Sequence, residues 1–469
     1  MLNRGIRQEY ILNDKLIIGR KTKDLKNFQD RLIGYVGDVW EPDSRESTSV
    51  SIKVYLDFLS PHVCVICGKK GYGKSYSMGV ILEEFLRLED MERERLSMIV
   101  IDTMGIFWSL RHSNIDRDEL AQLESRYLRP HAFSEVDIVI PKKFAAVYDQ
   151  SGLEYTKVIT LNPGDLEDVE WCYAFGIDYN SPMGIALSNL ITSLKDDYGD
   201  VYTIDAMLTY VSGFDDEKLA GANKHADSAA SLTPKQTKSA LTRRLMFAKD
   251  WGVFYEKGDS EFTKVTDLIR PGKVSVVNIS DYRSEMASGW GVRSLVTGII
   301  AKKIYELRSR ERRLEQAHEV KEVTTSGKGD VPLVWMLIDE AHRFAPSNET
   351  TAASRPLIEW ARQGRHPGLS LVLATQRPGS LDSDILSQCD LVMSHRLTSK
   401  PDIDALSRIQ PSYSADLKES LEKLPSDRSG YALVIDDTSE QYFYVKTRER
   451  LSWHAGDDAK AVKEGPNEN

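Results

Sequence analysis

The chain has 469 residues, a hydrophobic fraction of 41% and a formal net charge of −10, a balance that excludes a disordered or lipid-spanning chain and leaves room for two or three globular domains. No run of about 18 apolar residues occurs and the opening MLNRGIRQEY lacks a signal-peptide core, so a cytoplasmic location is expected. The acidic balance excludes a global nucleic-acid footprint and confines any DNA contact to a local basic surface such as a channel lining; of four scattered cysteines only Cys64 and Cys67 are close, with no second pair for a zinc site.

Residues 1–60 read as a small N-terminal β domain. LIIGR, LIGYVGDVW and SVSIKVYLDFL are short β-branched and aromatic runs separated by turns such as EPDSREST. Three such strands bury little core alone, so they are expected to pack on the rest of the chain or on neighbouring subunits.

Residues 61–110 open an α/β core. The apolar run VCVIC is followed by Gly68, Gly73, Lys74 and Ser75 in the spacing G-x-x-x-x-G-K-S, and then by Met78, Ile81, Leu82, Phe85 and Leu86 at helical spacing. This is a phosphate-binding P-loop between a buried strand and a helix. Its glycines, Gly71 included, let backbone N–H groups surround phosphate oxygens, Lys74 reaches the β and γ phosphates, and the Ser75 hydroxyl ligates Mg²⁺. Tyr76, next in line, is counted with the nucleotide contacts. A second buried strand, SMIVID, ends in Asp102; the aromatic pair Phe107 and Trp108 reads as local packing.

Over 111–265 short strands (VDIVI, KVITL) alternate with longer helical patterns, and no catalytic spacing emerges. The stretch reads as a mainly helical insertion, with Lys238, Arg243, Arg244 and Lys249 on a solvated helix face.

The core resumes over 266–456. KVSVVNIS is a buried strand, followed by a long amphipathic helix and a polar, aperiodic surface loop, HEVKEVTTSGKGD. LVWMLIDE is an apolar strand ending in two carboxylates. Asp339 is placed near Mg²⁺, and Glu340 is placed to activate the water that attacks the γ-phosphate. LSLVLATQ ends in Gln376, a candidate γ-phosphate sensor. The preceding ARQGRHPG carries Arg362 and Arg365 at a helix end; each alone reads as a surface ion pair, yet such an arginine is also a candidate finger for a neighbouring subunit's site. Residues 457–469 are polar and read as a disordered tail.

GKKGYGKS, LIDEAHRFAP, the long stretch EWARQGRHPGLSLVLATQRPGSLDSDILSQCDLVMSHRLTSKPDIDAL and VKTRERLSWHAG together resemble the HerA branch of the HerA/FtsK superfamily. The resemblance covers about residues 60–103 and 272–456. It implies a RecA-like P-loop core with a mainly parallel sheet, ATP and Mg²⁺ as cofactors, and a homohexameric ring that threads double-stranded DNA and works with a nuclease or a defence effector. It implies nucleotide contact by Gly73, Lys74 and Ser75, metal support by Asp339, Glu340 as catalytic base, Gln376 as sensor and Arg365 as trans-acting finger, with Arg396 a further candidate at the subunit boundary. The sequence departs from the family in its shortened N-terminal β segment, in Ile106 after Gly105, and in His454-Ala455-Gly456 where the family has His-Gly-Gly. Two other classes fit the motifs: a ring that serves chiefly as scaffold and activator of a defence effector, and a conjugation or secretion motor, against which the absence of a membrane segment weighs.

Overall fold

The computed structural model describes residues 6–42, 52–213, 234–259, 261–282, 289–320, 331–409 and 414–456. The polar tail at 457–469 and most of the aperiodic loop at 318–330 lie outside the described residues. The strands are β1 (Ile11–Leu12), β2 (Lys15–Ile18), β3 (Ile33–Trp40), β4 (Lys53–Asp57), β5 (Val63–Cys67), β6 (Leu96–Asp102), β7 (Val136–Pro141), β8 (Lys157–Ile159), β9 (Val274–Asn278), β10 (Leu333–Ile338), β11 (Leu369–Thr375), β12 (Leu391–Ser394), β13 (Tyr431–Asp436) and β14 (Gln441–Thr447). They form one sheet in the order β1-β2-β4-β3-β14-β13-β12-β5-β11-β10-β6-β9-β7-β8.

From β12 to β8 every neighbouring pair is parallel. A parallel sheet needs helical crossovers that cover both faces, and its central strands are therefore apolar throughout; β6 and β11 are buried along their whole length. Successive side chains divide between the faces. Val65, Cys67, Ile99 and Ile101 enter one core, whereas Cys64, Ile66, Met98 and Val100 enter the other, the period of two that a pleated strand requires. Among the described residues all four cysteines are free and buried.

The helices that matter for the site are α1 (Lys74–Leu86), α2 (Arg117–Ser125), α3 (Pro182–Tyr198), α4 (Ile204–Gly213), α5 (Pro234–Asp250), α6 (Gly289–Val320) and α7 (Ser354–Gln363). Met78, Ile81 and Phe85 of α1 pack into the core that holds Ile17 and Val54, while Leu190 of α3, Met207 of α4, Leu241 of α5 and Leu295 of α6 fill the opposite one.

Two regions expected as separate units share this sheet. The N-terminal strands continue it because β3 pairs antiparallel with β14, with Trp40 edge-on to Tyr431 at 4.8 Å and to Tyr444 at 5.8 Å. Burying that aromatic cluster secures the seam. The stretch 111–265 contributes β7 and β8 to the far parallel edge, with α2 ahead of them in the chain and α3, α4 and α5 after them. On α5, Arg243 and Lys249 are exposed, and Lys249 pairs with Asp205 at 2.5 Å.

Register explains why distant motifs meet. Thr375 is level with Cys67, and Ile338 with both Ile101 and Leu373. The loops that follow β5, β6, β10 and β11 therefore leave the sheet at one edge.

Candidate active site

The loop from Gly68 to Gly73 turns where β5 ends, through three glycines at positive φ: Gly68 at 149°, Gly71 at 83° and Gly73 at 110°. Side-chain-bearing residues avoid such values. A Cβ on Gly68 would come within 2.6 Å of His395 Cβ, and one on Gly73 within 3.2 Å of the Gly430 backbone nitrogen. At Gly71 a Cβ would meet nothing within 4 Å, so the loop keeps open space at its crest. With the N-terminus of the 13-residue helix α1 immediately behind it, this is a cradle for phosphate.

Lys74 is buried and donates from Nζ to the Lys69 carbonyl at 2.9 Å. Burial works to lower its pKa, opposed by the Asp339 and Glu340 carboxylates. Ser75 Oγ donates to Asp339 Oδ2 across 3.5 Å. Asp339 is 2% exposed, and burial together with the Glu340 and Asp102 carboxylates raises its pKa to about 7. A hydroxyl and a buried carboxylate oxygen facing each other are a hard-oxygen donor set that fits Mg²⁺, which takes one or two protein ligands beside phosphate and water. Consistent with so sparse a set, no group of three or more His, Cys, Asp or Glu that could hold a metal occurs among the described residues.

Asp339 and Glu340 diverge because Glu340 has φ 53°, in the left-handed region, a conformation that non-glycine residues hold at a cost of about 1–3 kcal/mol and that collects at functional sites. It brings Glu340 Oε1 to 2.5 Å from Gln376 Nε2, and His342 Nδ1 lies 3.4 Å from Glu340 Oε2 and 3.0 Å from Thr375 Oγ1. Tyr76 projects to the other flank of the loop, where its hydroxyl donates to Glu119 at 2.8 Å and accepts from the Arg450 backbone N–H at 2.6 Å.

Gly71, Gly73, Lys74, Ser75 and Tyr76 line one cleft of about 1150 Å³ together with Glu119, Asp339, Glu340 and Gln376. Its far wall is the segment after β14, including Trp453 and His454, with His454 edge-on to Tyr76 at 5.2 Å. That segment is bolted to α1. Arg448 reaches Glu83 at 2.8 Å and Glu84 at 2.6 Å, Arg450 reaches Glu83 at 3.2 Å, and both arginines and Glu83 are at most 1% exposed.

Two arginines singled out in the sequence lie elsewhere. Arg365 is at the opposite sheet edge, before β11, bonded to Asp390 at 3.2 Å. Arg396 donates to the Leu424 carbonyl within its own chain, and its own carbonyl accepts from the Lys69 N–H at 3.1 Å. The sequence reading missed His395, which backs the P-loop by donating from Nδ1 to the Tyr431 carbonyl at 2.9 Å while Nε2 accepts from Ser77 Oγ at 3.1 Å. Burial keeps it neutral, with a pKa lowered to about 4. Its signal was a polar residue directly after an apolar strand, the same sign that marked Gln376.

The family model described as "Helicase HerA, central domain" matches residues 35–304, more than half of the chain. The chain belongs to the HerA helicase family. It is an ATPase of helicase type. A probable helicase of Methanocaldococcus jannaschii is 22% identical over 414 residues, covering 88% of this chain and 67% of that protein. A probable DNA double-strand break repair helicase HerA of the same organism is 23% identical over 449 residues, covering 88% and 79%. Among solved structures, the bacterial conjugative coupling protein TrwB superposes with a TM-score of 0.50 at 11% identity, covering 88% of this chain and 91% of that one, a likeness of fold. No helix among the described residues is long and apolar enough to cross a membrane.

Proposed function

We propose that the chain is the subunit of a cytoplasmic homohexameric ring that hydrolyses ATP between subunits and translocates along double-stranded DNA, in concert with a nuclease or defence effector. The observation that carries this reading is the contact of Glu340 with Gln376 at 2.5 Å in the cleft that also holds Lys74 and Ser75. A carboxylate and an amide in contact, opposite a phosphate cradle, suit an attacking water and a γ-phosphate.

The β and γ phosphates of ATP sit over the N-terminus of α1, and Lys74 exchanges the Lys69 carbonyl for phosphate oxygen. Ser75 and Asp339 would hold Mg²⁺, which when bound would offset phosphate charge. Glu340 accepts a proton from the attacking water, and Gln376 orients that carboxylate and reads the presence of the γ-phosphate. Gly68, Gly71 and Gly73 shape the loop, and Tyr76 borders the nucleotide on the side of the C-terminal wall. Arg365 serves the adjoining subunit's site, since it lies on the wrong edge for its own. DNA contact by loops lining a channel would be sequence-independent.

Glu340→Gln is expected to keep nucleotide binding while lowering ATP turnover by about 10²-fold or more, and Lys74→Ala to weaken both. Turnover with and without linear duplex DNA, beside nucleotide affinity, checks this. Wild-type turnover in Glu340→Gln would remove the base from the site, and turnover indifferent to duplex DNA would count against translocation.

A further inference from the structure

On the sheet edge opposite the P-loop, charged side chains form one connected buried chain. Asp390, one residue before β12, accepts from the Val63 N–H at 2.9 Å through Oδ1 and pairs with His62 Nδ1 at 2.8 Å through Oδ2. His62 Nε2 lies 3.2 Å from Asp57 Oδ2, and Asp57 Oδ1 receives Arg20 Nε at 2.9 Å. His62, Asp57 and Arg20 are 2%, 0% and 0% exposed. A buried carboxylate must be paired, and Asp390 is paired before Arg365 is considered.

Arg365 Nη2 is a further donor to Asp390 Oδ2, at 3.2 Å, although its side chain is 65% exposed. An ion pair so open to water adds little to stability, and Asp390 has no need of it for neutralisation. What the bond does is aim a long side chain. A guanidinium held by one amino group keeps the rest of its planar fork for a second anion, and less freedom is lost when that anion arrives. Asp390 is a firm base for this, since its other contacts tie it to β5 and, through His62, Asp57 and Arg20, to the N-terminal strands.

We propose that Asp390 is a positioning residue for Arg365, holding one amino group at the sheet edge so that the free edge of the fork is presented to the γ-phosphate of the adjoining subunit. The proposal rests on the reading of Arg365 as a trans-acting finger, and its test separates the two.

Full-length variants are mixed to form hybrid rings, with Glu340→Gln subunits as donors of an intact finger beside a dead site. Asp390→Asn alone is expected to lower kcat about tenfold, the scale seen when a group that orients a functional side chain is lost, with KM for ATP unchanged because its own cleft is untouched. Mixing it with Glu340→Gln should give turnover above that of either alone, since the donor's finger completes the Asp390→Asn site; a general folding defect would not be rescued this way. Arg365→Ala mixed with Glu340→Gln is the reference. Rescue of Arg365→Ala without rescue of Asp390→Asn, or wild-type kcat in Asp390→Asn alone, overturns the positioning role and leaves the finger standing. No rescue of Arg365→Ala overturns the finger itself. Should Asp390→Asn fail to melt as a folded protein, Arg365→Lys at the exposed position replaces it. An ammonium cannot span both anions as the fork does, so kcat should fall as in Arg365→Ala, and wild-type kcat in Arg365→Lys overturns the proposal.

Discussion

Between Asp57 and Asp390 a protonated imidazole is the form of His62 that the fold favours. Burial works to strip its proton, but the two carboxylates outweigh burial and raise its pKa from 6.5 to about 10. The folded chain therefore keeps a proton that the unfolded chain releases above pH 6.5. The stabilisation is fully present below that value, falls by about 1.4 kcal/mol for each pH unit above it, and is exhausted once pH passes the folded value. Denaturant unfolding followed from pH 6 to 10.5 should show stability declining through this window. His62→Asn should be less stable at pH 6 and should lack that decline, and a wild-type curve as flat as the variant's would mean that His62 is neutral in the fold. None of this was legible in the sequence. His62 is a lone histidine at a strand start, and its partners lie 5 and 328 residues away.

At the scale of elements, the P-loop helix is held by charge as much as by its apolar face. From local spacing, Glu83 and Glu84 look like the solvated side of an amphipathic helix, whereas the fold buries both under Arg448 and Arg450. Burial opposes ionisation of Glu83, and the two guanidiniums outweigh it, so its pKa is lowered. Pairs formed across 364 and 365 residues leave no trace in local periodicity. Strands, in contrast, were legible because a parallel sheet covered on both faces makes them uniformly apolar, and a polar residue at the end of such a run marks the sheet edge. Asp339, Glu340 and Gln376 were found that way. Removing one member of a buried pair strands its partner, so Glu83→Ala should cost roughly 3–5 kcal/mol of stability, while Glu124→Ala on exposed α2 should stay within about 0.5 kcal/mol. Because Arg450 and Ser452, both bonded to Glu83, carry the wall that ends in Trp453 and His454, Glu83→Ala should also raise KM for ATP. Guanidinium unfolding and steady-state turnover check both effects, and a change below 1 kcal/mol would mean that the strap is not anchored through Glu83.

For the whole molecule, the decisive fact is that Lys74 and Arg365 occupy opposite edges of one sheet. β5 alone spans four steps of about 3.3 Å, and its two ends are fixed by close-packed cores, so no side-chain motion brings the Arg365 guanidinium to its own phosphate cradle. If the finger is required, a lone chain has a binding site without a complete hydrolytic one, and turnover becomes a property of assembly. Turnover per subunit should then rise with protein concentration and level off as rings form, in step with a native mass approaching six copies of the 53.0 kDa chain, about 318 kDa. Nucleotide affinity measured below that transition should be weaker by no more than the finger's own contribution, because Gly71, Gly73, Lys74 and Ser75 line the cleft of a single chain. Arg365→Ala should assemble as the parent does yet stay flat in turnover across the same range. A parent whose turnover per subunit is constant down to concentrations at which only the 53.0 kDa species is present would show that one chain carries a complete site, and would require a cis group in place of Arg365.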